Sequence, residues 1–259
     1  MSGDVRIPER QQEFLDRVLP RIAADDRVTA VALSGSLAHG SPDAFSDVDL
    51  VLAIPDESHA AVMADRLALI AAWTDLVVGF TGEHVGEPRL IVALVGPPLL
   101  HVDFTFLPES RFAEVVGGLR LLHGAVDAPA AQLPAESAPF DAQWIEDRFW
   151  TWIHYGATKL ARGELFEALD TLAALRSLVL GPLASVRAGA EPRGVRRLES
   201  VAPEDAAALR ATVSGYDRRE AAEALLASVE LYRRWRPRDV TRRTGAEELA
   251  VAFLHEVIA

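Results

Sequence analysis

The chain contains no cysteine. Disulfides, thiolate ligands and cysteine nucleophiles are excluded, and the absence agrees with a reducing cytoplasm, the expected location. Long apolar runs are also missing: no stretch reads as uninterrupted enough to span a membrane. The opening, MSGDVRIPERQQEFLDR, lacks the basic start and apolar block of a secretory signal. Basic charge is in deficit, with 26 Lys and Arg against 38 Asp and Glu, a net charge of −12. A broad nucleic-acid footprint needs a basic stripe, so neither nucleic acid nor membrane is expected as a partner. An acidic surface favours cationic partners or substrates. No internal repeat recurs at a fixed period. What is present is apolar bulk: hydrophobic residues make up 50% of 259 positions, enough for one large or two ordinary domains.

Hydrophobic periodicity sorts the chain into two halves. Pro8 to about Ala24 predicts a helix, with Leu15, Val18, Leu19 and Ile22 on one stripe. Val28–Leu33 and Asp47–Ile54 predict buried strands. A helix over Ser58–Trp73 separates them from strands at Asp75–Phe80, Leu90–Val95 and Leu99–Leu107. Gly96-Pro97-Pro98 makes the last two a hairpin, and Ser110–Val116 a short helix. From Phe140 onward no strand is legible. Five helices are expected at Phe140–Ala161, Glu164–Val186 (weakened near Gly181-Pro182), Pro203–Val213, Asp217–Trp235 and Thr244–Ile258. Asp217 with Glu220, and Thr244 with Glu247, have capping-box spacing. The fold class is therefore α+β: a mixed sheet of about five strands at residues 1–123, a Pro- and Ala-rich linker at 124–139, and an antiparallel helical bundle at 140–259.

The chemistry concentrates in Ala30–Ile54, AVALSGSLAHGSPDAFSDVDLVLAI. Asp47 and Asp49 stand two apart, which on a strand places both carboxylates on one face, with Val48, Leu50, Leu52 and Ile54 on the other. Paired carboxylates repel, and a hard divalent cation such as magnesium relieves the repulsion. The pair alone also fits a polar strand entrance. Ser34-Gly35-Ser36 directly follows a buried strand. Glycine permits close backbone approach to a phosphate, and helix-start amides with serine hydroxyls supply donors. No lysine follows in the Walker position. A third carboxylate, Asp103, interrupts the apolar face pattern of Val102, Phe104 and Phe106, sharing its own face with His101 and Thr105. Such a charge needs a partner or a metal. Asp43 reads as turn chemistry before a third acidic contact, and Ser46 as a loop-steering or plainly solvated serine. His39 fits a phosphate contact or a structural turn. Lysine is scarce, which singles out Lys159, four residues from Tyr155 on an aromatic helix and compact enough for a phosphate. Trp144, Trp150 and Trp152 read as core before pocket. Arg193, Arg196 and Arg197 form a basic loop, solvated or phosphate-facing.

The order Leu33-Ser34-Gly35-Ser36-Leu37-Ala38-His39-Gly40, then Ser46-Asp47-Val48-Asp49-Leu50, then Asp103 resembles the nucleotidyltransferase superfamily of the polymerase-beta type. The resemblance covers roughly residues 10–120. More loosely, the helical half resembles that of small two-domain antibiotic nucleotidyltransferases acting on aminoglycosides or lincosamides. It implies a cytoplasmic, metal-dependent adenylyltransferase that moves AMP from ATP to a hydroxyl of a small, cationic acceptor and releases pyrophosphate, with antibiotic resistance as a role. It implies Ser34, Gly35 and Ser36, with Lys159, on the triphosphate. Asp47, Asp49 and Asp103 become the catalytic carboxylates holding two Mg2+ ions. Asp103 is one candidate general base; Glu146 and Glu164 of the helical half are others. Two further readings stay open: transfer to a protein or other macromolecule, and a non-catalytic antitoxin-like interaction protein. Monomer and homodimer are both compatible.

Overall fold

A computed structural model describes residues 5–40, 42–125 and 140–259. The chain divides into two compact units, Met1–Ala135 and Glu136–Ala259. The expected linker at 124–139 lies, beyond residue 125, outside the described residues.

The first unit opens with α1 (Glu9–Ala23), whose buried positions Gln11, Phe14, Leu15, Val18 and Ile22 recur at helical spacing. Then come β1 (Ala30–Leu33), the short α2 (Gly35–His39), β2 (Val48–Ile54) and α3 (His59–Trp73). β3 (Leu76–Gly82), β4 (Glu87–Val95) and β5 (Leu100–Pro108) precede α4 (Glu109–Val115) and β6 (Arg120–His123). The sheet is mixed, with order β3-β4-β5-β2-β1-β6; β2 and β5 run parallel, and the other neighbours are antiparallel. The sixth strand exceeds expectation. β6 is four residues long and alternates half-buried and exposed positions, too short for periodicity to reveal; pairing with β1 defines it.

The sheet is covered on both faces. On one, Val48, Leu50, Leu52 and Ile54 of β2 join Val102, Phe104 and Phe106 of β5 in a core with Phe14, Val18 and Ile22 of α1 and Ile70 and Trp73 of α3. Trp73 stacks on Phe106 with centroids 6.3 Å apart. On the other, Ala30, Ala32, Val51, Ala53, Leu107 and Phe112 of α4 form a smaller core. The small residues of β1 let the Phe112 ring approach, and burying such a ring is worth about 2 kcal/mol. This second core covers only the later half of β2 and β5. The earlier half of that face carries Asp49 and Asp103, half-buried.

The second unit is helical: α5 (Ala142–Arg162), α6 (Leu165–Leu175), a π-helical turn at Arg176–Leu180, α7 (Gly181–Arg187), α8 (Leu198–Val201), α9 (Pro203–Leu209), α10 (Arg218–Trp235) and α11 (Thr244–Ile258). Asp141 caps α5 by accepting from the Trp144 amide at 2.9 Å, worth about 1 kcal/mol. Asp217 caps α10 through the amides of Arg219 and Glu220, but the Glu220 carboxylate accepts from Gly215 N and does not close a box. The expected Thr244–Glu247 box does not form. The residue at the cap is Arg243, without a side-chain cap bond, and Glu247 is drawn instead to Arg233 (2.8 Å) and Arg236 (2.7 Å).

The helical run Leu165–Arg187 corrects the reading that no segment could span a membrane: by length and composition it is apolar enough. Its Leu172, Leu175, Val179, Leu180 and Leu183 are buried in the helical core with Phe149, Leu225 and Tyr232, which accounts for that apolarity.

Glu146 sits at the centre of this core with no exposed surface. Its carboxylate accepts from Tyr232 Oη (2.6 Å), Trp150 Nε1 (3.1 Å), Arg243 N (2.9 Å) and Arg236 Nη1 (3.5 Å). Burial pushes its carboxyl up, but the donors from Tyr232, Arg243 and Trp150, with the Arg236 charge, outweigh that and hold it below its ordinary 4.5. Glu146→Gln is expected to cost about 3 kcal/mol, because Arg236 and Tyr232 lose a buried anionic partner. A depressed folded value means this stabilisation is complete above pH 4.5 and is lost as pH falls through the folded value. Denaturant titrations of both proteins should therefore separate at neutral pH and converge in acid.

Candidate active site

β1 delivers the chain to Ser34, and the β1–β2 ladder continues one step past its last paired residues: Ser34 N donates to Asp49 O at 2.9 Å. That bond places the Ser34–Ser36 turn beside the Asp49 position. Gly35 follows with φ +61°, in the left-handed region, and α2 begins there. A Cβ on Gly35 would lie 2.1 Å from Asp49 Oδ2, so the backbone of the turn is pressed against the carboxylate itself. The first amides of α2 have no acceptor within the helix. The Ser36 hydroxyl is buried and makes no hydrogen bond among the described residues. A buried hydroxyl without a partner costs stability, and a ligand oxygen at the turn would relieve it.

Asp49 is in register with Asp103 on the neighbouring parallel strand. In-register residues of adjacent strands point to the same face, with the strands about 4.8 Å apart. The two carboxylates that sequence spacing placed on separate strands are thus side by side. Asp103 Oδ1 is 3.0 Å from His101 Nε2, which identifies His101 as its hydrogen-bond partner. Asp47 lies one residue ahead of β2, half-buried, at the end of the turn that follows α2.

Oxygen donors from adjacent carboxylates, a glycine turn pressed on one of them and an orphaned serine hydroxyl fit a hard divalent cation with a phosphate ligand. Among the described residues, no group of three or more His, Asp or Glu side chains is already gathered around one point. The structure therefore brings Asp49 and Asp103 together with Ser34, Gly35 and Ser36, while Asp47 stands one residue ahead of β2.

Other expected residues have separate duties. His39 Nε2 is 2.7 Å from Gly118 O and ties α2 to the segment before β6. Asp43 and Ser46 build the turn ahead of β2: Phe45 N donates to Asp43 Oδ1 (2.8 Å) and Asp43 N to Ser46 Oγ (2.9 Å). Lys159, expected on a triphosphate, is engaged within the helical unit. Its ammonium lies 2.7 Å from both Glu164 Oε2 and Glu167 Oε2 and 4.8 Å from the Tyr155 ring centroid. Glu164 and Glu167 push its pKa up, so it is a neutralised cation. Glu146 is sealed by four donors within the helical core. Trp150 is core, Trp152 is half-buried against it, and Trp144 is partly exposed and edge-on to Trp152 at 5.7 Å. Gln11 escaped the sequence analysis. It looks like one more polar residue on the outside of α1, yet it is fully buried and bonded to the turn ahead of Asp47.

No protein-family model and no curated protein matches the chain. Among solved structures it is similar to an aminoglycoside 6-adenyltransferase from Bacillus subtilis, at 18% identity over 95% of both chains with a TM-score of 0.34. It is similar to a nucleotidyltransferase-like protein from Exiguobacterium sibiricum, at 12% identity over 93% of this chain and 78% of that one, TM-score 0.37. A third is a spectinomycin adenyltransferase from Enterococcus faecialis with ATP and spectinomycin, at 9% identity over 98% and 100% of the chains, TM-score 0.29. Identity and TM-score at these levels assign no activity; the chain itself displays an α+β fold in which Asp49 and Asp103 stand paired beside Ser34, Gly35 and Ser36.

Proposed function

We propose that this chain is a metal-dependent nucleotidyltransferase that moves a nucleoside monophosphate, AMP from ATP, to a hydroxyl of a small cationic acceptor. The observation that carries the proposal is the register of Asp49 with Asp103 next to a glycine turn that touches Asp49. Neighbouring carboxylates on one face of a sheet suit a hard divalent cation, and the turn beside them offers donors to phosphate.

In the proposed reaction an acceptor oxygen attacks the α-phosphorus in line. The new O–P bond forms as the bond from that phosphorus to the bridging oxygen breaks, and pyrophosphate leaves with the bond pair. The acceptor proton passes to Asp103 or to water. Asp47, Asp49 and Asp103 would hold magnesium, which would supply charge neutralisation for the transfer. Ser34, Gly35 and Ser36 orient the departing phosphates through backbone amides and hydroxyls. The 3.0 Å contact with His101 supports Asp103 as the acceptor of that proton. The acidic balance of the chain attracts a polyamine-like acceptor such as an aminoglycoside.

The test is pyrophosphate release from each nucleoside triphosphate in turn, with aminoglycosides, lincosamides and simple amino sugars as acceptors. Release that depends on acceptor and stops on chelation with EDTA is expected, alongside a rise in Tm on adding MgATP. Absence of both release and stabilisation would sink the proposal. Stabilisation without release to any small acceptor would redirect it to a macromolecular one.

A further inference from the structure

Gln11 is an anomaly on α1. Its neighbours Gln12 and Glu13 are exposed, but Gln11 has no exposed surface. Its Nε2 donates to Ser46 O at 2.7 Å and to Ala44 O at 3.4 Å, across 35 and 33 residues of chain. Its Oε1 is buried and accepts nothing among the described residues. An apolar side chain of the same length would fill this space without stranding an oxygen. What the amide adds is its donor.

That donor acts on a rigid body. Residues 43–46 are held to one another by three short bonds: Phe45 N to Asp43 Oδ1, Asp43 N to Ser46 Oγ, and Ser46 N to Asp43 O. The turn faces solvent, with Asp43, Ala44 and Phe45 exposed, Phe45 to 93%. Among the described residues, the hydrogen bonds from residues 43–46 to another element both come from Gln11. Ser46 O also belongs to the peptide plane that ends in the Asp47 amide. Because that plane does not twist, fixing the oxygen fixes the orientation from which Asp47 departs. Asp47 lies just outside the β2 ladder and lacks the strand pairing that fixes Asp49.

We propose that Gln11 is a positioning residue: it clamps the Ser46 carbonyl so that Asp47 is presented, from outside the strand, beside Asp49. This rests on the nucleotidyl-transfer reading only for the use to which Asp47 is put; the clamp itself is a property of the unliganded chain. Met is the substitute of similar length with neither donor nor stranded acceptor.

The experiment compares Gln11→Met with the unaltered full chain by amide hydrogen exchange without ligand and by Mn2+ binding in calorimetry. Exchange at Phe45, Ser46 and Asp47 is expected to quicken about 10-fold, with α1 unchanged, because the turn opens locally once its anchor is gone. Mn2+ affinity is expected to fall by a similar factor, while Tm is retained. Gln11→Glu supplies a second variant. Burial raises its carboxyl pKa, so the protonated acid regains a donor, and protection relative to the intrinsic exchange rate at each pH should return in acid. Unchanged exchange over residues 45–47 in both variants overturns the clamp. Quickened exchange with unchanged Mn2+ affinity overturns the positioning of Asp47. If the unaltered chain binds no Mn2+ and releases no pyrophosphate, the transferase reading fails, and the exchange arm still decides the clamp.

Discussion

Gly35→Ala is expected to reduce turnover about 100-fold, the order of effect that follows a reacting group displaced by about 1 Å. The added methyl carbon would stand 2.1 Å from Asp49 Oδ2, a separation that Cβ atoms do not show. Either the carboxylate or the turn must yield, by roughly 1 Å to reach the 3.0 Å at which Cβ contacts begin. Both belong to the proposed site, so either movement spoils it. The substitution has a second cost, since φ is +61° at Gly35 and a left-handed alanine loses about 1–2 kcal/mol. Gly163 separates the two costs. It ends α5 at φ +73° with nothing within 4 Å of its added Cβ. Gly163→Ala should therefore lose stability comparably and keep turnover within about twofold. Steady-state kinetics and denaturant titrations on both variants give the comparison. Equal losses of turnover would show that the Gly35 contact with Asp49 has no catalytic consequence.

Residues that carry local patterns were readable in the sequence, and residues that answer to distant partners were not. Val48, Leu50, Leu52 and Ile54 alternate around Asp49, and Val102, Phe104 and Phe106 around Asp103. Strand identity and the polar face followed from the period of two, and the sheet confirms both. The spacing did not show that Val51 and Ala53 are buried as well, because α4 is the cause and brings Phe112 from more than fifty residues away. Glu146 carried an acidic label and a helix position, which made it a candidate base. Only the convergence of Tyr232, Arg236 and Arg243 reveals a core hub. Glu247 had capping-box spacing, yet two arginines of the α10 end outbid the local amide. Lys159 was singled out by rarity, a property of composition that says nothing of Glu164 and Glu167 beside it. Gln11 had no signal at all: a glutamine among polar residues on α1 is the commonest of surfaces, and its partners lie more than thirty residues on.

Asp49→Asn and Asp103→Asn are each expected to lower turnover by about 10³-fold, the loss of about 4 kcal/mol of charge stabilisation in the transition state. Asparagine keeps the size and the strand position, so β2 and β5 should pair as before. The rise in Tm with MgATP should vanish in the same variants. Lost activity and lost ligand stabilisation with the unliganded Tm retained separate a ligand site from a structural polar pair, whose disruption would lower Tm. The double variant sharpens the point. Groups that hold one ion act as a unit, so Asp49→Asn with Asp103→Asn should be little worse than either alone. Losses that multiply would mean the two carboxylates serve separate steps, with Asp103 taking the acceptor proton independently of the ion. Turnover retained in either single variant would remove that residue from the site, whatever its neighbour does.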